Sequence, residues 1–446
     1  MLRLRFIWRK IPMIALPPLF NCKPSHIAGR AGLFMLVAAV VPFWHSAAAG
    51  IDTTVRIATI NSICNLLQAH FLDPSMRGLD WNAECISAKA AVQTIGDNEQ
   101  RFQEIATSLP AKLKTSHTAY YPPDDAMLAI LYSVYGELDY LKATTDVRGG
   151  APELRGSGIF AVRIGDRDFI DQILDDSPAQ KAGLREGDEI VAAGSAVFSA
   201  YWPGLKSAPI RQETTVQFRR RPDGPVEGKT LPLISGDALS VLAEATTASA
   251  RLIERHGAKI GYLRGWTMLT REAAGGPAQA MQAAIYGKFA DADAVILDAR
   301  GKIGGGGMDI LDVYFGPRTS LSWKGRGDDR WIDQKSMRPN VPLVIIVDGH
   351  TRSAAEVMAH VAKHQRRALL VGSRTAGAAS GGSLFPLPDG GGLYIAVAAL
   401  RSYGEVLEGK GVEPDILVER SLPYADGADP QLERAIEEAT RLARRN

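Results

Sequence analysis

Short apolar runs alternate with polar, glycine-rich turns along the second half of the chain. The runs at 259–263, 294–297, 343–347, 368–371 and 393–397 are typical of buried strands, and helix-length segments separate most of them. This alternation predicts a mostly parallel sheet flanked by helices, with ligands at the carboxyl ends of the strands. The last segment, 429–445, is amphipathic and rich in charge, which favours a surface helix.

The first half has two other patterns. Residues 51–148 carry apolar residues at helical spacing, clearest at 60–67 and 124–140, with a loop at Ser116 and His117 between them. After a Gly-Gly break, residues 151–236 read as a small β domain. The prediction is an α/β multidomain chain with a helical N-terminal domain (50–150), the β domain (151–236) and an α/β core (237–446).

Residues 1–49 have the composition of an export signal. They hold six basic residues and no acidic one, an apolar stretch at 31–44, and small residues ending at Ala49. We expect a signal peptide and a periplasmic or secreted protein; the alternative is an uncleaved N-terminal anchor, the only source of membrane contact. The whole chain has 51 basic and 49 acidic residues. Because six of the basic residues lie in 1–49, the remainder of the chain is slightly acidic, and nucleic-acid binding gains no support.

A serine stands where the run 341–347 leads into the next helix. Ser353 lies in the polar turn that follows this strand, within 348–356. A helix N-terminus offers unpaired N–H groups and the positive end of a dipole, which stabilise the oxyanion formed when a serine attacks a carbonyl. The alternative is that Ser353 only caps the helix.

Four consecutive glycines, 304–307, follow the run 294–297. Glycine lacks a Cβ, so the N–H groups of such a loop can approach a substrate carbonyl closely. A phosphate-binding loop would need lysine and serine or threonine after the glycines, whereas Lys302 precedes them. The pattern favours an oxyanion or peptide-clamping loop.

These two segments resemble the C-terminal processing (tail-specific) serine peptidases. That family has an Asp-x-Arg-Gly-Asn-x-Gly-Gly loop, matched at 298–305 with Lys302 in the asparagine position, and a Ser-Ala-x-Glu helix start, matched at 353–356. Further matches at 371–377 and 409–415 follow in the expected order. The resemblance covers most of residues 55–420 and implies a serine endopeptidase with a crotonase-like core and no metal or organic cofactor.

The position of the catalytic base also departs from the family. Its catalytic lysine would stand just after a Thr-x-Gly motif, where this chain has Ala378. A methyl group cannot accept a proton, so a Ser-Lys pair of the usual kind is excluded.

The related tricorn core proteases use a serine-histidine pair and a late glutamate instead, and 113–120 and 407–415 resemble those segments. The resemblance implies Ser353 as nucleophile, His117 as general base, and Ser116 and Glu408 as orienting groups. Histidine suits proton transfer because its ordinary pKa lies near 6.5. The oxyanion N–H groups would belong to Ala354 and to Gly304 or Gly305. Alternatives are a surface-loop role for His117; His350, Lys302 or Lys410 as base; and Glu405 or Glu413 in place of Glu408.

Residues 176–191 resemble the Ser-Pro-Ala-x-x-Ala-Gly-Leu-x-x-Gly-Asp-x-Ile stretch of PDZ domains. The resemblance implies that Gly156, Ser157, Gly158 and Ile159 bind a peptide, through its C-terminal carboxylate and by strand addition. Polypeptides, presented by their C-termini, are the expected partners. The alternative is a purely structural small barrel.

Three questions stay open from the sequence. Cys64 and Cys85 form one disulfide or remain two buried thiols. His360 and His364 have i,i+4 spacing, yet no glutamate follows the first histidine, so a solvated helix face is favoured over zinc. The rival functions are a catalytically inactive PDZ-bearing scaffold and a crotonase-like acyl-transfer enzyme.

Overall fold

Helices with polar caps build the first segment of the chain. In the computed structural model they are α1 (Thr53–His70), α2 (Trp81–Thr94), α3 (Glu99–Ala111), α4 (Ala126–Tyr135) and α5 (Asp139–Arg148), with a 3-10 turn at Met76–Gly78 and the strand β1 (Ala119–Tyr121). Asp52, Asp80, Asn98 and Asp125 each accept a hydrogen bond from a first-turn N–H group and begin α1 to α4.

The structure describes residues 52–136, 138–148, 150–193, 197–198, 213–268, 276–301, 304–305, 320–323, 332–335 and 341–445. The predicted leader and Lys302 lie outside these ranges. Within them, no helix has the length and hydropathy needed to cross a bilayer.

Cys64 of α1 and Cys85 of α2 form a disulfide, which decides the first question above. The bond lies in an apolar core that α1, α2 and α3 share. Leu393 and Ile395, from far along the chain, belong to the same core. The helical segment therefore packs directly on the carboxyl-terminal part of the molecule.

A six-stranded sheet follows the helices. Its region comprises β2 (Leu154–Gly156), β3 (Ile159–Ile164), β4 (Arg167–Ile173), α6 (Pro178–Lys181), β5 (Glu189–Ala193), β6 (Val197–Phe198), β7 (Glu213–Arg219), β8 (Glu227–Pro232) and β9 (Ile234–Gly236). The sheet order is β6-β3-β4-β5-β7-β8, while β2 pairs with β9. Ile159, Ile170 and Phe218 are fully buried in its core.

The rest of the chain forms an α/β core. Its elements are α7 (Ala238–Ser249), β10 (Arg251–Arg255), β11 (Ala258–Arg264), α8 (Pro277–Ala283) with a π turn at Ala284–Lys288, β12 (Ala294–Asp298), β13 (Ser320–Trp323), β14 (Ile332–Lys335), β15 (Leu343–Val347), α9 (Ala354–His364), β16 (Ala368–Gly372), β17 (Gly381–Pro386), β18 (Gly392–Ala398), β19 (Ile416–Leu417) and α10 (Pro430–Ala443). The main sheet has the order β10-β11-β12-β15-β16-β19 and is parallel except for β10.

The sequence prediction was wrong for one strand. The run 393–397 was expected in the parallel sheet, but β18 lies in a separate antiparallel sheet of order β1-β18-β17. The physical reason is the short Asp389-Gly-Gly turn before β18, because a tight turn returns the chain antiparallel to the strand it leaves. β18 thereby pairs with β1, and Ala119 lies opposite Tyr394.

The central strands β12 and β15 are buried along their whole length. They run parallel in register, with Asp298 opposite Ile346. The glycine loop and the turn that carries Ser353 therefore leave the sheet side by side at its carboxyl edge.

Candidate active site

A cavity of about 430 Å³ opens at this edge. Residues from distant parts of the sequence line it, namely His117, Gly304, Gly305, Arg352, Ser353, Ala354, Ala379, Ser380 and Tyr394. Much of the remaining wall is apolar and comes from Met127, Leu131, Val134, Val357 and Leu400. The site is thus an apolar cleft with a few convergent polar groups, as substrate pockets commonly are.

Ser353 adopts a backbone conformation that few non-glycine residues take. Its φ is 58° and its ψ is −129°, and its side chain makes no capping hydrogen bond to α9. The N-cap alternative is therefore not supported by the geometry. Since the helix begins at Ala354, the N–H of Ala354 has no acceptor in a preceding helical turn.

The glycine loop packs tightly against Ser353. A Cβ added to Gly304 would lie 2.3 Å from the Ser353 Cβ and 2.7 Å from the Ala354 nitrogen, so only glycine fits there. The Thr267 hydroxyl donates to the Gly304 carbonyl at 2.9 Å and holds the loop. Gly305 has a φ of 86°, a conformation that favours glycine.

Ala378 lies directly beside the nucleophile turn. Its carbonyl accepts a hydrogen bond from the Ser353 N–H at 2.8 Å, and its methyl group is buried. Its own N–H donates to the Glu356 carboxylate at 2.6 Å. The position where the related peptidases carry lysine is thus next to Ser353 here, and it holds no proton acceptor on its side chain.

His117 instead comes to this cavity with two partners. Its Nδ1 lies 2.7 Å from the Ser116 Oγ, and that hydroxyl donates to Glu408 Oε2 at 2.9 Å. Glu408 also accepts from the N–H groups of Ser116 at 3.1 Å and Ala379 at 2.9 Å. An ionised carboxylate only accepts, so the Ser116 proton points to Glu408 and the Ser116 oxygen accepts from His117 Nδ1–H. With the proton on Nδ1, the neutral His117 ring has its lone pair on Nε2, which can accept a proton.

The surroundings of the site favour a neutral His117 and an ionised Glu408. Burial, assisted by Arg352 and opposed by Glu408, lowers the pKa of His117 to about 4, so the imidazole is neutral near pH 7. Burial alone would raise the pKa of Glu408, but the hydrogen bonds from Ser116, Ser380 and Ala379 outweigh burial and lower that pKa. A neutral base thus lies beside a stable anion.

Backbone pairing places the His117 loop. β1 begins just after His117 and pairs with β18, and the His117 ring lies 5.3 Å from that of Tyr394. Across the cleft, the Arg352 guanidinium donates to the Ser116 carbonyl at 3.3 Å. The sequence prediction missed Arg352, Ser380 and Tyr394. Only Arg352 had a signal, as a charged residue directly before the expected nucleophile.

The competing bases do not meet the same conditions. His350 lies 3.9 Å from Asp171 of β4 and does not line the cavity, and neither does Lys410. Of the alternative glutamates, Glu405 lies 3.7 Å from His360 and Glu413 pairs with Arg374. Glu408 is therefore the glutamate that the fold brings to Ser116.

The expected peptide-binding residues lie where β2 ends and β3 begins, with Gly156 in β2, Ile159 in β3 and the other two between the strands. Gly156, Ser157, Gly158 and Ile159 are all buried, and a Cβ on Gly158 would lie 2.3 Å from the Ser177 Cβ. The β3 edge is paired with β6 at Ile159 and Phe160. In this conformation the loop packs against α6, so a peptide could reach it only after rearrangement.

Comparison with known proteins agrees with this geometry. Residues 259–418 match the model of Peptidase family S41. They are a peptidase family S41 domain. This domain includes the glycine loop, the Ser353 turn and Glu408, whereas Ser116 and His117 lie before it. It makes the protein a serine-type peptidase.

Individual relatives extend the similarity beyond the S41 domain. A carboxyl-terminal-processing protease of a Picosynechococcus species is 27% identical over 307 residues, covering 65% of this chain and 70% of the relative. A putative tricorn protease homolog of Streptomyces coelicolor is 24% identical over 411 residues, covering 85% of this chain but only 32% of its own length. The solved structure of mature CPAF has a TM-score of 0.51 at 14% identity, covering 88% of this chain and 98% of that one, which shows a shared fold.

Proposed function

We propose that this S41 peptidase is a serine endopeptidase of the C-terminal processing type that acts through Ser353 with His117 as general base. The observation that carries the proposal is the series of hydrogen bonds from His117 through Ser116 to Glu408, in which His117 lines the same cavity as Ser353. It supplies a base in a site whose usual lysine position holds Ala378.

The proposed chemistry follows the geometry step by step. Ser353 Oγ attacks the scissile carbonyl carbon while its proton passes to His117 Nε2. The Ala354 N–H and the glycine loop at Gly304 and Gly305 stabilise the oxyanion. His117 then protonates the leaving amine, and water hydrolyses the acyl-enzyme by the same transfers in reverse. Ser116 and Glu408 hold the imidazole and stabilise its transient positive charge.

The remaining parts of the proposal concern delivery of the substrate. We assign residues 50–150 to a helical domain, 151–236 to a PDZ-like domain and 237–446 to a crotonase-like core, and the PDZ-like domain presents polypeptide C-termini. The protein is exported, with 1–49 as its signal peptide or anchor. The names of the relatives and the six-stranded sheet between helices and core support this assignment.

Fluorophosphonate labelling tests the nucleophile. We expect covalent label at Ser353 of the wild type and none in Ser353→Ala, a change that removes one oxygen and leaves almost no cavity. Hydrolysis of an unfolded protein should cease in the same variant. Retained turnover in Ser353→Ala would exclude the assignment, whereas a wild type that neither reacts nor cleaves would favour the peptide-binding scaffold.

His117→Ala tests the base. Loss of a general base typically costs on the order of 10²–10⁴ in rate, so kcat should fall by at least this much while the circular dichroism spectrum is retained. His350→Ala is the matched control, because that histidine precedes Ser353 closely but does not line the cavity. If kcat falls in His350→Ala and not in His117→Ala, the assignment of His117 as the base is wrong.

A further inference from the structure

The nucleophile turn carries a cation that the proposed chemistry does not use. Arg352 directly precedes Ser353, and its partly buried side chain lines the same cavity. Among the described lining residues it is the only arginine or lysine, and none is an aspartate or glutamate.

The partners of Arg352 differ from those of other enclosed arginines. Arg300 pairs with Asp298 and Asp429, and Arg420 pairs with Asp171 and Glu186. Arg352, by contrast, has no carboxylate within ion-pair distance among the described residues. Its hydrogen bond is a long one, 3.3 Å from Nη2 to the neutral Ser116 carbonyl. A guanidinium has five N–H donors, so most of its capacity remains for a group that enters the cavity.

The carboxylate of the proposed catalytic set does not supply that partner. Glu408 is already bonded to Ser116, Ser380 and Ala379. The positive field of Arg352 reaches the cleft itself, since it acts on His117, Tyr121 and Tyr394. An anion beside Ser353 is attracted there, and a cation is repelled.

Building on the proposed function, we propose that Arg352 binds a carboxylate of the substrate close to the scissile bond and so selects acidic sites. The planar guanidinium fork matches a carboxylate in bidentate geometry. Because an extended peptide advances about 3.3–3.6 Å per residue, a group in reach of Arg352 belongs to a residue within about two positions of the cleaved bond. The carboxylate is either the free C-terminus of the polypeptide or an aspartate or glutamate side chain.

Matched peptides separate these two sources. The first pair is one cleavable sequence that ends two residues beyond the scissile bond, prepared with a free C-terminus and as the C-terminal amide. The second pair is a longer, amidated sequence with either aspartate or asparagine after the scissile bond. Hydrogen bonds to charged groups contribute about 1.5–3 kcal/mol, or on the order of 10- to 100-fold. In one of the two pairs, we expect the wild type to have a kcat/KM higher by this factor for the peptide with the carboxylate. The pair that shows the preference identifies whether Arg352 binds the free C-terminus or an acidic side chain.

Variants decide whether Arg352 is responsible. Arg352→Gln should bring the ratio of acid to amide close to one, and Arg352→Lys, which keeps the charge but loses the fork, should retain part of it. Arg374→Gln is the matched control, since Arg374 is exposed and pairs with Glu413 outside the cavity; it should keep the wild-type ratio. A residue that merely holds the Ser116 loop would lower both rates equally and leave the ratio unchanged, which would overturn the inference.

A binding measurement keeps the test decisive if Arg352→Gln is inactive. In a Ser353→Ala background, calorimetry should give a lower Kd for the acid peptide than for its amide, and the added Arg352→Gln change should abolish the difference. Equal Kd values before that change would refute the recognition role. Wild-type cleavage without acid preference would refute only this inference, whereas absence of both cleavage and Ser353 labelling would refute the proposed function beneath it.

Discussion

At His117, burial and a neighbouring cation act in the same direction. Both disfavour the imidazolium, and the pKa falls to about 4. The proposed base must be neutral in the free enzyme, so kcat/KM should stay near its plateau well below pH 6 and decline with a midpoint near 4. Arg352→Gln should raise this midpoint because it removes the second cause of the lowered pKa. A wild-type midpoint near 6.5 would contradict the expectation.

The same shift has a consequence for stability. Between pH 6.5 and about 4 the unfolded chain protonates His117 while the folded chain does not, so the unfolded state binds more protons. This residue therefore makes the free energy of unfolding decrease as the pH falls through that window. This loss of stability is absent above pH 6.5 and complete below about pH 4.

Individual residues differ in how far their sequence context revealed them. Ser353 follows a buried strand and precedes a helix, a local pattern that predicts its place. Apart from the resemblance of 113–120 to a tricorn segment, nothing near His117 signals its role, because its position depends on the pairing of Ala119 with Tyr394, far apart in sequence. Glu408 could not be separated from its neighbours by pattern, and only the contacts with Ser116 and Ala379 select it.

Among the structural elements, the glycine loop offers the sharpest test of packing. Gly304→Ala would push a methyl group into Ser353 Cβ and the Ala354 nitrogen, at 2.3 and 2.7 Å. We expect kcat to fall by on the order of 10²–10³, the usual cost of losing an oxyanion donor, because Ser353 and Ala354 must move apart from the loop.

Gly228→Ala is the matched control for that change. A Cβ on Gly228 of β8 meets no atom within 4 Å, so kcat should be unaffected. Equal activity of Gly304→Ala and wild type would show that the loop can retreat from Ser353 without cost. Thermal unfolding of both variants separates an effect on the site from an effect on folding.

The sequence predicts the sheet to which a strand belongs where burial determines it. The prediction is wrong where a turn determines it. β12 and β15 are buried along their length because α9 covers one face of the parallel sheet and α10 the other. β18 has a similar apolar pattern, but its hairpin with β17 directs it into another sheet. Periodicity reports burial, and it does not report which strand is the neighbour.

In the whole molecule, the candidate site joins segments that lie hundreds of residues apart. Ser116 and Glu408 are separated by 292 positions and are joined by two hydrogen bonds. The helical segment bearing Ser116 is anchored by an apolar core shared with β18. The integrity of the site therefore depends on the docking of these helices, which no local sequence pattern describes.

The Cys64–Cys85 disulfide tests that dependence at the scale of the fold. It closes a loop of 21 residues between α1 and α2, and a cross-link of this span contributes about 3 kcal/mol by restricting the unfolded chain. Reduction should lower the Tm by several degrees, measured by calorimetry with and without a thiol reductant. Neither cysteine lines the cavity, so kcat/KM at 25 °C should persist. The Cys64→Ala/Cys85→Ala protein should have the lower Tm in both conditions, and a Tm unchanged by verified reduction would show that the shared core alone holds the helices in place.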